Sequence, residues 1–357
     1  MEEAKARIGN GTAIGRRDFL GLGAAAAASV FMPVLKADIC ADLRGEASSA
    51  RFDDNLVAFL ADIHAGAEKK CSVARRKFKE TVDEILAMRP LPRNVLVFGD
   101  IAYRCGLGED YDFSRPLFRK LEDAGIAVTI GMGNHDRRSE YAKRWPEAAA
   151  KSLVPGRYVH LVETPHLDFL MLDSLQGQDN RDSADEGPQG GALSKDEQVF
   201  LKKFLALRAK PVIVCAHHPC SDLWCGGERL EAVLRSSPGV AGYIHGHFHR
   251  WRTEGEREVC LPSSSAWGDV GYATCRCRPD CATIDCVLKG FSIPSPAGDP
   301  MVTVPVRSAV RSVSLDFCPD THPAELCNLS VIQCNIQRQN VLLKYLQLKA
   351  KKGIDKL

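Results

Sequence analysis

Five short clusters of metal-ligand residue types lie in one order along this chain. They are Asp62-Ile63-His64, Gly99-Asp100, Gly133-Asn134-His135-Asp136, His217-His218 and Gly246-His247-Phe248-His249. Together they offer carboxylates, imidazoles and one amide, a donor set suited to two divalent transition metals. Two such ions about 3.5–4 Å apart clamp a phosphate and lower the pKa of a shared water, so the chemistry expected is hydrolysis of a phosphate ester. One ligand must bridge the pair, and a carboxylate with two oxygens does so; Asp100, midway in the set, is the candidate. Asp62 and His64 are two apart and face one side of an extended strand, so at its end they can chelate one metal together. His247 and His249 share that spacing and can reach separate metals, while Asn134 offers a neutral amide oxygen.

Each cluster directly follows a short apolar run that reads as a strand. The runs are Leu56–Ala61, Val95–Phe98, Ala127–Ile130, Pro211–Ala216 and Val240–Ile244. A row of strand ends is where an α/β protein assembles a site from residues far apart in sequence. Between the runs, helical spacing predicts helices over Ser72–Met88, Arg115–Ala124, Ser139–Lys151, Lys195–Leu207 and Gly227–Arg235. Ser194 with Glu197 has the spacing of a capping box. Tyr158–Val162 and Leu167–Asp173 read as two further strands, and strand-like runs dominate from Val240 to about Leu288. Helices alternating with strands first, and strands later, predict a two-layer β core flanked by helices. The Gly-rich segment Ser174–Gly191 is expected to be a mobile loop.

Length and composition frame these readings. The 357 residues allow one large domain or two ordinary ones, and 45% hydrophobic with 26% charged residues are the proportions of a soluble globular protein. A net charge of +2, with no basic face interleaved with aromatics, gives no support to nucleic-acid binding. No dinucleotide or P-loop fingerprint is present; Gly106-Leu107-Gly108 reads as a turn. No Gly-x-Ser-x-Gly elbow points to a serine hydrolase. Seven of the ten histidines fall in or beside the clusters; His160, His166 and His322 lie outside and receive no role.

The ends of the chain differ from its middle. Arg16-Arg17 is followed by Asp18-Phe19-Leu20 and an uncharged, Ala-rich stretch from Phe19 to Leu35. This resembles a bacterial twin-arginine signal peptide, whose core is Arg-Arg-x-Phe-Leu, with Gly15 where Ser or Thr is usual. The resemblance implies residues 1–48 as signal and linker, the twin-arginine export machinery as a partner and a periplasmic or otherwise extracytoplasmic location. An uncleaved membrane anchor is the alternative. Fourteen cysteines suit an oxidising compartment. Cys275, Cys277, Cys281 and Cys286 are expected as strand residues or disulfide partners, with a structural zinc as the alternative. Residues 293–357 are left open: from Ala297 onward the strand and helix order is lost, and a poorly ordered tail ending in a basic run, Asn340–Lys352, is expected.

The five blocks resemble the calcineurin-like metallophosphoesterase superfamily, whose pattern is Asp-x-His, Gly-Asp, Gly-Asn-His-Asp/Glu, His, then Gly-His-x-His. The resemblance covers about 52–292 and implies an α/β/β/α sandwich of two mixed sheets flanked by helices. It implies a first metal held by Asp62, His64, Asp100 and His249, and a second held by Asp100, Asn134, His217 and His247. The ions would be two of Mn, Fe or Zn, and a hydroxide bridging them would attack phosphorus in line. His135 would protonate the leaving group, and Asp136 would orient its neighbours as the other catalytic candidate. His218 and His245 are expected beside the ligands rather than among them. Purple acid phosphatases also carry Tyr at the offset of Tyr103, but they lack the histidine of Asp-x-His; with His64 present, His64 is expected to bind and Tyr103 not to. Many protein phosphatases place Asp there instead, so Tyr103 speaks against that identity.

The expectation is therefore an exported, metal-dependent phosphoesterase acting on a small phosphomonoester or phosphodiester. The alternatives are a non-catalytic binding module on the same fold, or a metallohydrolase cleaving a non-phosphate bond.

Overall fold

The computed structural model describes residues 51–66, 71–177, 190–255, 257–265, 267–293 and 302–317. The segment 1–48, expected as signal and linker, most of the loop expected over 174–191 and the run Asn340–Lys352 lie outside the described residues.

The first half alternates strands and helices. In chain order they are β1 (Phe52–Leu60), α1 (Ser72–Ala87), β2 (Leu91–Val97), α2 (Gly108–Asp123), β3 (Ala127–Ile130), α3 (Arg138–Arg144), α4 (Pro146–Ala150), β4 (His160–Glu163) and β5 (Asp168–Met171). Then come α5 (Lys195–Leu207), β6 (Val212–Cys215), the hairpin β7 (Trp224–Cys225) and β8 (Glu228–Arg229), α6 (Leu230–Arg235) and β9 (Val240–His245). Among the described residues the elements that follow are strands: β10 (Arg252–Glu254), β11 (Glu258–Cys260), β12 (Gly268–Cys277), β13 (Cys281–Ile293) and β14 (Val302–Asp316).

These strands form two six-stranded mixed sheets, ordered β14-β13-β12-β1-β2-β3 and β10-β11-β9-β6-β5-β4. The period of two along β1 shows how the layers are made. Val57 and Phe59 join Phe169, Ile213, Cys275, Ile284 and Leu315 in a core between the sheets. Ala58 and Leu60, on the other face, pack with Phe78, Val82 and Ile85 of α1 and with Phe118 and Leu121 of α2. On the outer face of the second sheet, Leu170, Val212 and Val214 meet Leu201 of α5 and Leu230 and Val233 of α6. Strands covered on both faces read as continuous apolar runs, which is why they are visible in the sequence. The result is the expected α/β/β/α sandwich.

Parallel register aligns the ends that matter. Leu60 pairs with Val97 and Val97 with Ile130, so β1, β2 and β3 finish together. Cys215 pairs with Ile244, so β6 and β9 do likewise in the second sheet.

Several elements differ from the sequence reading. Helix α2 begins at Gly108, seven residues earlier than expected, and Pro116 sits inside it. Glu109 and Asp110 fall in its first turn, where the helix dipole favours them. The helix expected over Ser139–Lys151 breaks at Trp145, because Pro146 restricts the residue before it and starts α4. Helix α6 begins at Leu230, since Glu228 and Arg229 pair with Cys225 and Trp224 across Gly226-Gly227. The reading of 297–357 as a poorly ordered tail is corrected for Val302–Asp316. That segment is a strand paired along β13, with Val313 and Leu315 buried and Ser312 and Ser314 exposed in alternation. Ser194 and Glu197 form the expected capping box. Cys275 and Cys277 are free thiols in β12, buried in the core between the sheets, as the strand reading held.

Candidate metal centre

The sequence after each strand end turns sharply, and the backbone records it. Asp62, His64, Asp100, His247 and His249 all have positive φ, between 46° and 69°. Side chains other than glycine adopt that region rarely and at a cost, so five candidate ligands doing so together marks a site imposed by the surrounding fold. Glycines let the loops touch. A Cβ on Gly99 would collide with the backbone of Gly133, and one on Gly133 would collide with Asp100. That contact is why glycine precedes Asp100 and Asn134.

The side chains converge in two pockets. In the first, His64 Nε2 lies 3.1 Å from His249 Nε2 and 3.6 Å from Asp100 Oδ2, while His249 Nε2 is 3.3 Å from Asp62 Oδ1. In the second, His217 Nε2 lies 2.8 Å from Asn134 Oδ1 and 3.3 Å from Asp100 Oδ2. His247 Nδ1 is 3.1 Å from Asn134 Oδ1 and 3.2 Å from His217 Nε2. Donors bonded to one ion at about 2.0–2.2 Å stand roughly 3–3.6 Å apart along the edges of its polyhedron, so these spacings fit two metal spheres. Asp100 Oδ2 is common to both pockets. Asp62, His64, Asp100 and His249 are mutually close enough to hold an ion, as are His217, His218 and His247.

The electrostatics call for positive charge. Asp62 and Asp100 are buried, and among the described residues their ion-pair partners are histidines. Burial alone would raise the Asp100 carboxyl, but His217, His135 and His64 outweigh it and hold it well below the usual range. Burial would likewise depress His217, yet Asp100 and Asp62 raise it to about 9. Burial lowers His64 to about 3 and, with His217 adding to it, His247 to about 4. His64 and His247 are thereby neutral and ready to ligate, and a bound ion would replace the proton that Asp100 and Asp62 hold on His217. The donor set therefore fits divalent ions in both pockets.

Orienting contacts complete the shell. His217 Nδ1 donates to Phe98 O at 2.8 Å, and His64 Nδ1 stands 3.3 Å from Tyr103 O. A ring nitrogen tied to a backbone carbonyl presents the other nitrogen to the metal. Tyr103 thus touches the site through its carbonyl, and its ring packs on Trp267, centroids 5.5 Å apart.

His135 is half-buried at the edge of the cluster. Its amide donates to Asp100 Oδ1 at 2.8 Å, its Nε2 lies 4.0 Å from Asp100 Oδ2, and its Nδ1 has no partner. Asp136 is placed differently. Its oxygens accept from the amides of Ile101, Ala102 and Gly133 and from the Tyr111 hydroxyl. Those four bonds use its lone pairs on loop geometry and none goes to a donor of the cluster. Such contacts are those of a residue that orients its neighbours.

Other residues here had no signal in the sequence. Ser263 Oγ donates to Asp62 O at 2.7 Å, Ser264 Oγ accepts from Ala61 N at 3.0 Å, and Ser265 Oγ reaches Ile63 O. These three serines brace the first loop from roughly 200 residues away in sequence. Trp267 lies along His249 with planes 14° apart and tilts over His64 at 4.7 Å. His218 bonds Ser174 Oγ through Nδ1 at 2.8 Å and leaves Nε2 buried and unpartnered beside the second pocket.

Solved structures to which the chain is similar include Vps29 of Chaetomium thermophilum, at 12% identity and a TM-score of 0.35 over 74% of this chain and 97% of that one. The 5'-nucleotidase precursor of Thermus thermophilus is similar at 14% identity and 0.36, over 79% of this chain and 59% of that one. Haemophilus influenzae NAD nucleotidase is similar at 10% identity and 0.37, over 72% and 56%. No curated protein matches the sequence. The family model described as calcineurin-like phosphoesterase matches residues 56–251, which span all five clusters. The chain belongs to the calcineurin-like phosphoesterase family.

Proposed function

We propose that this protein is a hydrolase of phosphate esters that works with two divalent ions. The first would be held by Asp62, His64, Asp100 and His249, and the second by Asp100, Asn134, His217 and His247. The observation that carries this reading is the place of Asp100 Oδ2, 3.6 Å from His64 Nε2 and 3.3 Å from His217 Nε2, where one oxygen serves both pockets. When bound, divalent ions of the Mn, Fe or Zn kind would supply charge to the phosphoryl oxygens and acidify a water.

The chain's own groups do the rest. Asp100 and Asn134 fix the two pockets relative to each other, because the loops that carry them abut at Gly99 and Gly133. His135, held through its amide on Asp100, is positioned to give a proton to the departing oxygen. Trp267 and Tyr103 form an aromatic wall beside His64 and His249, which shields that side from water. Asp136 keeps the loops at Ile101 and Gly133 in register.

The twin-arginine pattern at Arg16-Arg17 supports export of the folded chain to an extracytoplasmic compartment. Replacing both with Lys is expected to hold the protein inside the cell; undiminished export would contradict this.

The activity is tested with p-nitrophenyl phosphate and bis-p-nitrophenyl phosphate, each with and without added Mn. Turnover that stops on chelation and returns with metal is expected, and the preferred substrate separates monoesterase from diesterase. Turnover indifferent to chelator would overturn the reading.

A further inference from the structure

The second sheet carries another group of donors that shares no residue with the centre above. It lies where β9, β10 and β11 meet the turn at Cys220. His245 ends β9 and is fully buried. Its Nδ1 stands 2.9 Å from Gly246 O. A carbonyl can only accept, so Nδ1 carries the proton and Nε2 presents a lone pair. That Nε2 has no hydrogen-bond partner and faces Glu258 Oε1 at 3.4 Å. A lone pair turned on a carboxylate oxygen inside the protein is an arrangement that a cation resolves.

Two further groups meet there. Cys220 Sγ lies 3.0 Å from Glu258 Oε2, and the Cys220 amide donates to Glu258 Oε1 at 3.0 Å. Glu254 stands directly opposite Glu258 in the antiparallel β10–β11 pair. Like charges in that position destabilise a sheet unless something neutralises them. Arg252 reaches Glu254 and offsets one of the two. The donor atoms of His245, Glu254 and Glu258 all fall within 4.8 Å of one another. Beside them opens a cavity of about 860 Å³, lined in part by Cys220, Tyr243, Glu254 and Glu258, which gives a path from solvent.

We propose that His245, Glu254, Glu258 and Cys220 form a separate binding site for one divalent cation of the zinc class. The 3.4 Å between His245 Nε2 and Glu258 Oε1 suits an edge of a coordination sphere with bonds of about 2.0–2.3 Å, and Cys220 Sγ, hydrogen-bonded to the other Glu258 oxygen, would turn in to complete it. Mixed nitrogen, sulfur and oxygen donors select zinc or cobalt over magnesium or calcium. His245 shows the expected outer contact, its second nitrogen tied to a backbone carbonyl. On binding, the Cys220 thiol loses its proton to solvent and the thiolate takes the metal. The bound ion would join the β10–β11 edge to the turn at Cys220–Asp222.

Cobalt(II) titration of the full chain tests this, because the first centre contains no sulfur donor. A thiolate-to-cobalt charge-transfer band in the near ultraviolet is expected, saturating at one equivalent. It should persist in Asp100→Asn and vanish in Cys220→Ser. Glu258→Gln, a gentler change, should weaken the cobalt affinity behind the band at least about tenfold. Absence of the band from the wild-type chain would overturn the proposal, as would a band unchanged in both Cys220→Ser and Glu258→Gln.

Discussion

His64 and His249 bring their Nε2 atoms to 3.1 Å of each other although 185 positions separate them in sequence. Two imidazole nitrogens that close share a proton or a cation, and Asp62 and Asp100 beside them favour the cation. His249→Ala should therefore lower the metal bound by one equivalent per chain and reduce kcat at least about 100-fold. Metal analysis beside steady-state kinetics checks both. Full metal content in this variant would remove His249 from the ligand set.

Tyr111 reaches the site through its hydroxyl. Its hydroxyl donates to Asp136 Oδ1 at 3.1 Å and accepts from the Arg137 amide at 2.7 Å. Tyr111→Phe leaves both groups short of a partner, at a cost of about 1–3 kcal/mol in unfolding free energy. Because Asp136 sets the loops that carry Asp100 and Asn134, kcat should fall further than KM changes. Denaturant titration and kinetics on the same preparation test the pair of effects; unchanged stability would show that the hydroxyl does not brace the loops.

Glu197 gives a pH signature away from the metal ligands. Burial, reinforced by Asp173, raises its carboxyl from 4.5 to about 7. The folded state then binds more protons than the unfolded state between those values, so this group's contribution to stability falls as pH rises from about 4.5 to 7. Glu197→Gln keeps a capping side chain but cannot titrate. The difference in stability between wild type and variant should move in the variant's favour across that window, followed by thermal unfolding at pH 5 and pH 7.5. A constant difference would refute the raised carboxyl.

Trp267 lines the first pocket by stacking on His249, and its own φ of 73° shows that the fold holds it there. Trp267→Ala should leave metal content unchanged while lowering kcat/KM about tenfold, more for an aryl phosphate than for an alkyl phosphate. Equal losses on the two substrates would indicate a general structural role instead.

The strands and their ends are legible in the sequence because buried strands write continuous apolar runs and because ligands cluster directly after them. Seven candidate ligands, Asp62, His64, Asp100, Asn134, His217, His247 and His249, can be named in advance, and the fold brings all of them together. Contacts made by common residues from distant loops are not legible. Ser263, Ser264 and Ser265 carry no pattern, and Trp267 looks like any aromatic near a strand. Strand β14 is hidden for another reason. Its alternation shows at Val302-Thr303-Val304 and again at Val313-Ser314-Leu315, but Pro305 and the polar Arg307-Ser308 break it between them. The group at His245, Glu254, Glu258 and Cys220 depends on register between three strands, which no local spacing reveals.

Asp100 is expected to join two metal pockets into one phosphoesterase centre. Metal content and turnover of p-nitrophenyl phosphate and its diester should be measured on Mn-loaded wild type and on Asp100→Asn. Metal bound in both pockets with turnover in the wild type, and loss of at least one equivalent with loss of turnover in Asp100→Asn, is the predicted result. Full metal content and full turnover in Asp100→Asn would show that Asp100 does not bridge the pockets.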